Sequence, residues 1–142
     1  RTVPHPTLAT FDAPDREVCV ARRLKTNTPL QALALMNDTI QLEAAQKLAE
    51  RMWNEGGRSV SDRIRFGFLI ATARRPAFSE QRTLLKLFEN RLRYYRNNPE
   101  SAKQFLSVGA SNCDDAKDPA ELAALANVAS LILNLDETIT RN

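Results

Sequence analysis

The chain has 142 residues, of which 43% are hydrophobic and 26% are charged, and these proportions are typical of one globular domain. They exclude a largely disordered chain, and no apolar run approaches the roughly 20 residues of a membrane-spanning helix. The net charge of +3 is unevenly distributed, because residues 58–96 hold ten basic and three acidic side chains while residues 97–142 hold three and seven. We expect the acidic end to fold back on the basic middle.

The first 28 residues show no helical period. Pro4, Pro6 and Pro14 favour extended conformations for the residues before them. The sequence therefore predicts an irregular, extended arm over residues 1–28, packed on a helical domain of residues 29–142. Because the chain begins with arginine rather than methionine, we also expect it to be a fragment of a longer protein.

The strongest local signal is a helix start at Thr28. Its side chain can accept from the first helical turn, a proline follows, and Gln31 can reach back to the cap amide. Helical spacing predicts one helix over residues 29–54, in which Asn37 and Asp38 favour a kink or a buried contact. The residues expected to pack inward are Leu30, Leu33, Met36, Ile40, Ala44, Leu48, Met52 and Trp53.

Four further helices are predicted downstream, over residues 60–73, 79–96, 99–108 and from 119 to about 135. Ser59, Asn98 and Asp118 are the expected N-caps of three of them. The last helix is rich in alanine and should be central, since small side chains let neighbouring helices approach closely. No alternating run typical of a strand occurs. The predicted fold is all-α, an irregular N-terminal arm followed by a bundle of about four to five helices.

Recognisable catalytic sets are missing from the sequence. The only histidine, His5, lies in the proline-rich arm, and Cys19 and Cys113 are too few for a disulfide framework, although they could either pair or stay separate. The acidic residues near position 115 lack the spacing of a calcium loop, and no glycine loop could hold phosphate. We therefore expect no metal and no cofactor in this fragment, and no enzymatic activity of the fragment alone.

Nucleic acid is the obvious partner for a basic segment that also holds Tyr94 and Tyr95. The arginines, however, are distributed around two predicted helices and alternate with core positions. The sequence thus disfavours nucleic-acid binding, which stays a second alternative.

Polar side chains gather around the predicted start of the first helix. Helix N-termini favour anions, so this cluster is the candidate ligand or partner site. Salt bridges that hold the arm in place explain the charged members better than a binding cluster does. The candidate residues are Asp12, Arg22, Arg23, Thr26, Asn27, Gln31 and Asn37.

Several motifs resemble a known family. The sequence Phe11-Asp12-Ala13-Pro14, Cys19, Arg22-Arg23, the segment from Thr26 to Leu33 and Met36-Asn37-Asp38 resemble the C-terminal domain of unknown function of large planctomycete surface or periplasmic proteins. Arg75-Pro76 with Glu80 is similar to an internal Arg-x-Pro helix start of that domain, whose arginine corresponds to Arg74 or Arg75. The segment from Leu131 to Glu137 is similar to its terminal Leu-Leu-Asn-x-x-Glu signature.

The resemblance implies an exported protein, periplasmic or on the cell surface, whose other domains often include a cytochrome c-like region. The other domains of the parent chain, a cytochrome c-like domain among them, are the partners it implies. This chain lacks Cys-x-x-Cys-His and so cannot attach haem in that way itself. Our leading hypothesis is a non-catalytic helical interaction or structural module. The alternative is that the candidate residues form half of a ligand or active site that upstream domains complete.

Overall fold

The computed structural model describes Thr10, residues 28–108 and residues 118–139. These residues form seven helices and no strand, so the predicted all-α fold is confirmed. The helices are α1 (Pro29–Asn37), α2 (Thr39–Glu55), α3 (Val60–Thr72), α4 (Phe78–Asn97), α5 (Pro99–Leu106), α6 (Pro119–Leu133) and α7 (Asp136–Ile139). Within these ranges, no helix is both long and apolar enough to cross a membrane.

The alanine-rich helix α6 is the centre of the bundle, as its composition predicts. It packs most extensively on α2 and α4, and also on α5 and α3. Nine of its residues are buried: Ala120, Leu122, Ala123, Ala124, Leu125, Ala126, Val128, Ala129 and Ile132. Five of the nine are alanines, and the absence of long side chains lets several helices contact this one element.

Side-chain caps read from the sequence are present at three of the seven described helix starts. Thr28 and Gln31 form the expected reciprocal pair, in which the Gln31 amide donates to Thr28 Oγ1 at 3.3 Å and the Thr28 amide donates to Gln31 Oε1 at 3.0 Å. Ser59 and Asp118 also cap their helices. Asn98 occupies the predicted N-cap position of α5, but its side chain makes no capping hydrogen bond, because it donates back to the carbonyl of Tyr94 at 3.0 Å.

The long helix predicted over residues 29–54 is divided at Asp38. The backbone of Asp38 is extended, with ψ of 130°, and its carboxylate accepts from the Ile40 amide at 2.8 Å to start α2. The helical period is therefore interrupted at this residue. The inward face predicted for the whole segment is correct only in α2, where Leu48 and Met52 are buried.

The predicted inward residues before and just after the division are on the surface instead. The exposed residues are Leu30, Leu33, Met36, Ile40 and Ala44. Trp53 is half-buried and packs against the core. Because the first helix is divided at Asp38 and the one-turn helix α7 follows α6, the described residues form seven helices rather than the predicted four to five.

The expected contact between the basic middle and the acidic end is made by two ion pairs. Arg63 binds Glu121 at 2.9 Å, and Arg74 binds Glu137 at 2.6 Å. The Arg63 guanidinium also lies 4.2 Å from the centre of the Trp53 ring, so one arginine contacts α2 and α6 as well as its own helix.

Candidate functional site

Gln31, one of the predicted site residues, is buried and acts as a structural link. Its side-chain amide donates to the carbonyl of Thr10 at 2.8 Å, while its side-chain oxygen accepts from Thr28. Thr10 has helical backbone. Gln31 therefore joins Thr10 to the first turn of α1, and both ends of its side chain are engaged in that role.

Asn37, the other described member of the predicted site, lies on the surface at the end of α1. Its side chain donates to the carbonyl of Leu33 at 2.9 Å, a contact within its own helix. The structure does not bring Gln31 and Asn37 together around a common point. Five predicted site residues, Asp12, Arg22, Arg23, Thr26 and Asn27, lie outside the described residues, as do His5, Cys19, Cys113 and the predicted arm apart from Thr10 and Thr28.

A different polar cluster, which the resemblance indicated only in part, lies where α3, α4 and α7 meet. Arg74 follows Ala73, which ends α3 in the left-handed conformation with φ of 59°. From there its guanidinium reaches Glu80 in the first turn of α4 and Glu137 in α7. We call Arg74, Glu80 and Glu137 the Arg74 cluster.

Every N–H of the Arg74 guanidinium has an acceptor. Nε and Nη2 donate to the two oxygens of Glu137 at 2.8 and 2.6 Å. Nη1 and Nη2 donate to the two oxygens of Glu80 at 2.9 and 2.7 Å, and Nη1 also donates to the carbonyl of Arg75 at 3.3 Å. The planar fork thus binds two carboxylates in bidentate fashion. No donor is left for a ligand, so the geometry favours a structural role.

The electrostatics of Glu80 agree with this role. Hydrogen bonds from Arg74, and then from the amide of Ala77 at 2.6 Å, hold the pKa of the Glu80 carboxyl at about 2, below its ordinary value of 4.5. Glu80 is therefore an anion at any ordinary pH, and it satisfies an amide at the start of α4. A carboxylate with so low a pKa is a poor general acid or base near neutral pH.

The two arginines before Pro76 differ in their contacts. Arg74 forms the cluster and stacks 4.8 Å from the centre of the Phe68 ring, whereas Arg75 is exposed and forms no ion pair with the described residues. Of the two, Arg74 is therefore the one with a structural role. The sequence could not show this contact, because Glu137 lies 63 positions away in the chain.

A shallow groove of about 250 Å³ lies beside the Arg74 cluster, between α4 and the end of α6. Its walls are mostly apolar, and the two hydroxyls of Ser79 and Thr83 lie at its edge. The residues that line it are Phe68, Ser79, Glu80, Thr83, Leu84, Leu131 and Leu135. Within the described ranges, no group of three or more histidine, cysteine, aspartate or glutamate side chains could hold a metal ion.

The most unusual surface of the described residues is that of α1. This helix contains no charged residue, yet Leu30 is 62% exposed, Leu33 57% and Met36 45%. Ile40 at the start of α2 is 73% exposed. We call these four residues the α1 face. The sequence shows that this segment lacks charge, but its apolar period predicts core positions for these residues.

No curated protein and no solved structure matches the chain. One family model does match, over residues 1–88, and it is described as PSD1, a protein of unknown function (DUF1553). The match includes the helix start at Thr28 and the Arg74-x-Pro76 motif, while the terminal segment that resembled a family signature lies outside it. Because the match covers more than half of the chain, the chain belongs to the family of PSD1 proteins of unknown function (DUF1553).

Proposed function

We propose that this chain is a non-catalytic interaction module that docks another domain of its parent protein through the α1 face. The observation that carries the proposal is the exposure of Leu30, Leu33, Met36 and Ile40 on and beside a helix without charge. Contiguous exposed apolar side chains are a mark of interaction surfaces. They are uncommon on a surface that faces only water.

The rest of the described chain supports a scaffold rather than a catalyst. The most highly connected polar group, Arg74, uses all its donors within the fold, and Gln31 uses both ends of its side chain. Helix α1 packs on α2, and α2 packs in turn on α6 and has five buried residues.

The choice of partner follows from the resemblance to large exported proteins. In such a protein, a neighbouring domain is present at high effective concentration, so a modest apolar face suffices for stable docking. We propose a periplasmic or cell-surface location, with the other domains of the parent chain as partners and a cytochrome c-like domain as the first to test.

The test compares the binding of this chain to the remainder of its parent protein before and after changes in the α1 face. Leu30→Gln with Leu33→Gln should weaken binding by roughly 2 kcal/mol, about thirty-fold, since docking would bury a little over half of each leucine. Calorimetric titration measures the affinity.

The matched control is Leu69→Gln with Ile70→Gln, because these two apolar residues of α3 are 43% and 39% exposed. The control should leave the affinity within about two-fold of that of the unchanged chain, as expected for residues outside an interface. Equal losses in both double variants, or no association of the unchanged chain with the remainder of its parent, would refute the proposal.

A further inference from the structure

The exposed side of α4 carries a row of cations. Arg82, Lys86, Arg93 and Arg96 follow one another at separations of four, seven and three residues, which places them on one face of a helix. All four are exposed. The row extends over roughly 21 Å at 1.5 Å per residue. We call these four residues the α4 basic row.

The α4 basic row differs from the basic side chains that are paired within the fold. Arg51, Arg63 and Arg74 each bind a carboxylate at 3.1 Å or less. The four residues of the row form no ion pair with the described residues, although Glu89 lies among them at a spacing of three from Lys86 and four from Arg93. Unpaired guanidinium groups in a row form a surface suited to carboxylates.

Two observations favour a protein partner over nucleic acid. Glu89 lies in the middle of the row, where it would repel a continuous phosphate backbone, whereas a peptide can place an uncharged side chain opposite it. Of the two exposed aromatic residues of this helix, Tyr94 lies off the row and packs edge-on against Tyr95, with ring centres 5.3 Å apart, and Phe78 lies at the N-terminal end of the helix, four residues before Arg82. Exposed aromatic side chains are therefore not distributed along the row, as stacking with successive bases would require.

A depression of about 290 Å³ lies at the C-terminal end of the row, with Glu89, Leu92, Arg93, Arg96 and Asn97 among its lining residues. It combines one apolar side chain with a cationic rim. This combination fits a carboxylate-rich segment that also carries an apolar side chain.

We propose that the α4 basic row binds an acidic segment of a protein partner, with an apolar side chain of that segment placed over Leu92. The row lies on a different helix from the α1 face, so this docking surface is independent of the proposed function. Its binding should depend strongly on salt, since exposed charges are screened beyond about 10 Å at 0.1 M ionic strength.

The test uses a fluorescent peptide of glutamates with a central leucine, titrated with the whole chain at low salt. We expect Arg93→Gln with Arg96→Gln to weaken binding about three- to ten-fold, as the loss of two exposed ion pairs would. The control is Arg75→Gln with Arg91→Gln, two exposed arginines off the row, which removes the same charge and should change the affinity less than about two-fold. Glu89→Gln should strengthen binding.

Three results would overturn the proposal. The first is the absence of peptide binding at low salt, and the second is an equal loss of peptide affinity in the two double variants. The third is that a single-stranded oligonucleotide binds more tightly than the peptide and loses affinity to the same extent in the Arg93→Gln, Arg96→Gln variant. The last result would assign the row to nucleic acid instead. None of the variants is expected to unfold, because the substituted residues are all exposed, and thermal unfolding of each variant checks this. These residues are Arg75, Glu89, Arg91, Arg93 and Arg96.

Discussion

Replacement of Gly67 by alanine tests how tightly α3 packs on α2. Gly67 is buried in the middle of α3, and a Cβ atom there would lie 2.5 Å from Sδ and 2.7 Å from Cγ of Met52. Met52 is itself fully buried, so its side chain has little room to move. Alanine should gain about 1 kcal/mol from its higher helix propensity. Overpacking of a well-filled core costs about 1–3 kcal/mol, so we expect a net loss of about 1 kcal/mol.

A double-mutant cycle with Met52→Ala separates these two effects. Met52→Ala alone should cost about 2–5 kcal/mol through the cavity that it leaves. In the double variant the new methyl group occupies part of that cavity without a clash, so the cost should be smaller than the sum of the single costs by about 2 kcal/mol.

Urea unfolding followed by circular dichroism gives each free energy of unfolding. The reasoning would be refuted if Gly67→Ala made the chain about 1 kcal/mol more stable and if the effects of Gly67→Ala and Met52→Ala were additive in the double variant. That result would show that helix propensity outweighs packing at this contact and that α2 and α3 have room to separate.

The other predictions concern polar contacts, and urea unfolding measures them all. Gln46→Leu should lower the free energy of unfolding by roughly 2 kcal/mol, because the buried Gln46 donates to the carbonyls of Phe105 and Val108 at 2.9 and 3.3 Å and these acceptors would lose their donor. The control is Gln104→Leu on the exposed side of α5. If Gln46→Leu lowered the stability no more than the control does, these hydrogen bonds would not stabilise the fold. Asp38→Ala should cost about 1 kcal/mol through the lost cap of α2, and a negligible cost would mean that the division of the helix does not depend on this side chain. For Glu80→Gln the effect should depend on pH: the pKa of Glu80 is lowered from 4.5 to about 2, so its stabilising effect is complete above pH 4.5 and is lost as the pH falls toward 2. The difference in stability between the unchanged chain and Glu80→Gln should shrink over that interval, and a constant difference would contradict the ion pair.

The sequence predicted those features that depend on neighbouring residues. Thr28 with Gln31, Ser59 with Asp62, and Asp118 cap their helices as expected, because every atom that such a cap needs lies within three residues. The composition of α6 likewise indicated a central helix. In these cases local chemistry and the overall fold agree.

Features that depend on distant residues could not be predicted. The sequence indicated a kink at Asn37 and Asp38, but the apolar period of α1 resembles that of a core helix, and only the three-dimensional structure shows that Leu30 and Leu33 are exposed. The role of Gln31 depends on a carbonyl 21 positions earlier. That of Arg74 depends on a carboxylate 63 positions later. Periodicity describes which side chains share a face, but it does not state what that face contacts.

The central position of α6 also has a consequence for the order in which the protein forms during its synthesis. Residues 119–133 are translated after α1–α5, yet these residues supply the apolar surface on which α2 and α4 pack. Helices α2–α5 therefore leave the ribosome before they can make their contacts with α6. The complete tertiary structure should form only when α6 has emerged, and until then the apolar residues that contact α6 are open to aggregation.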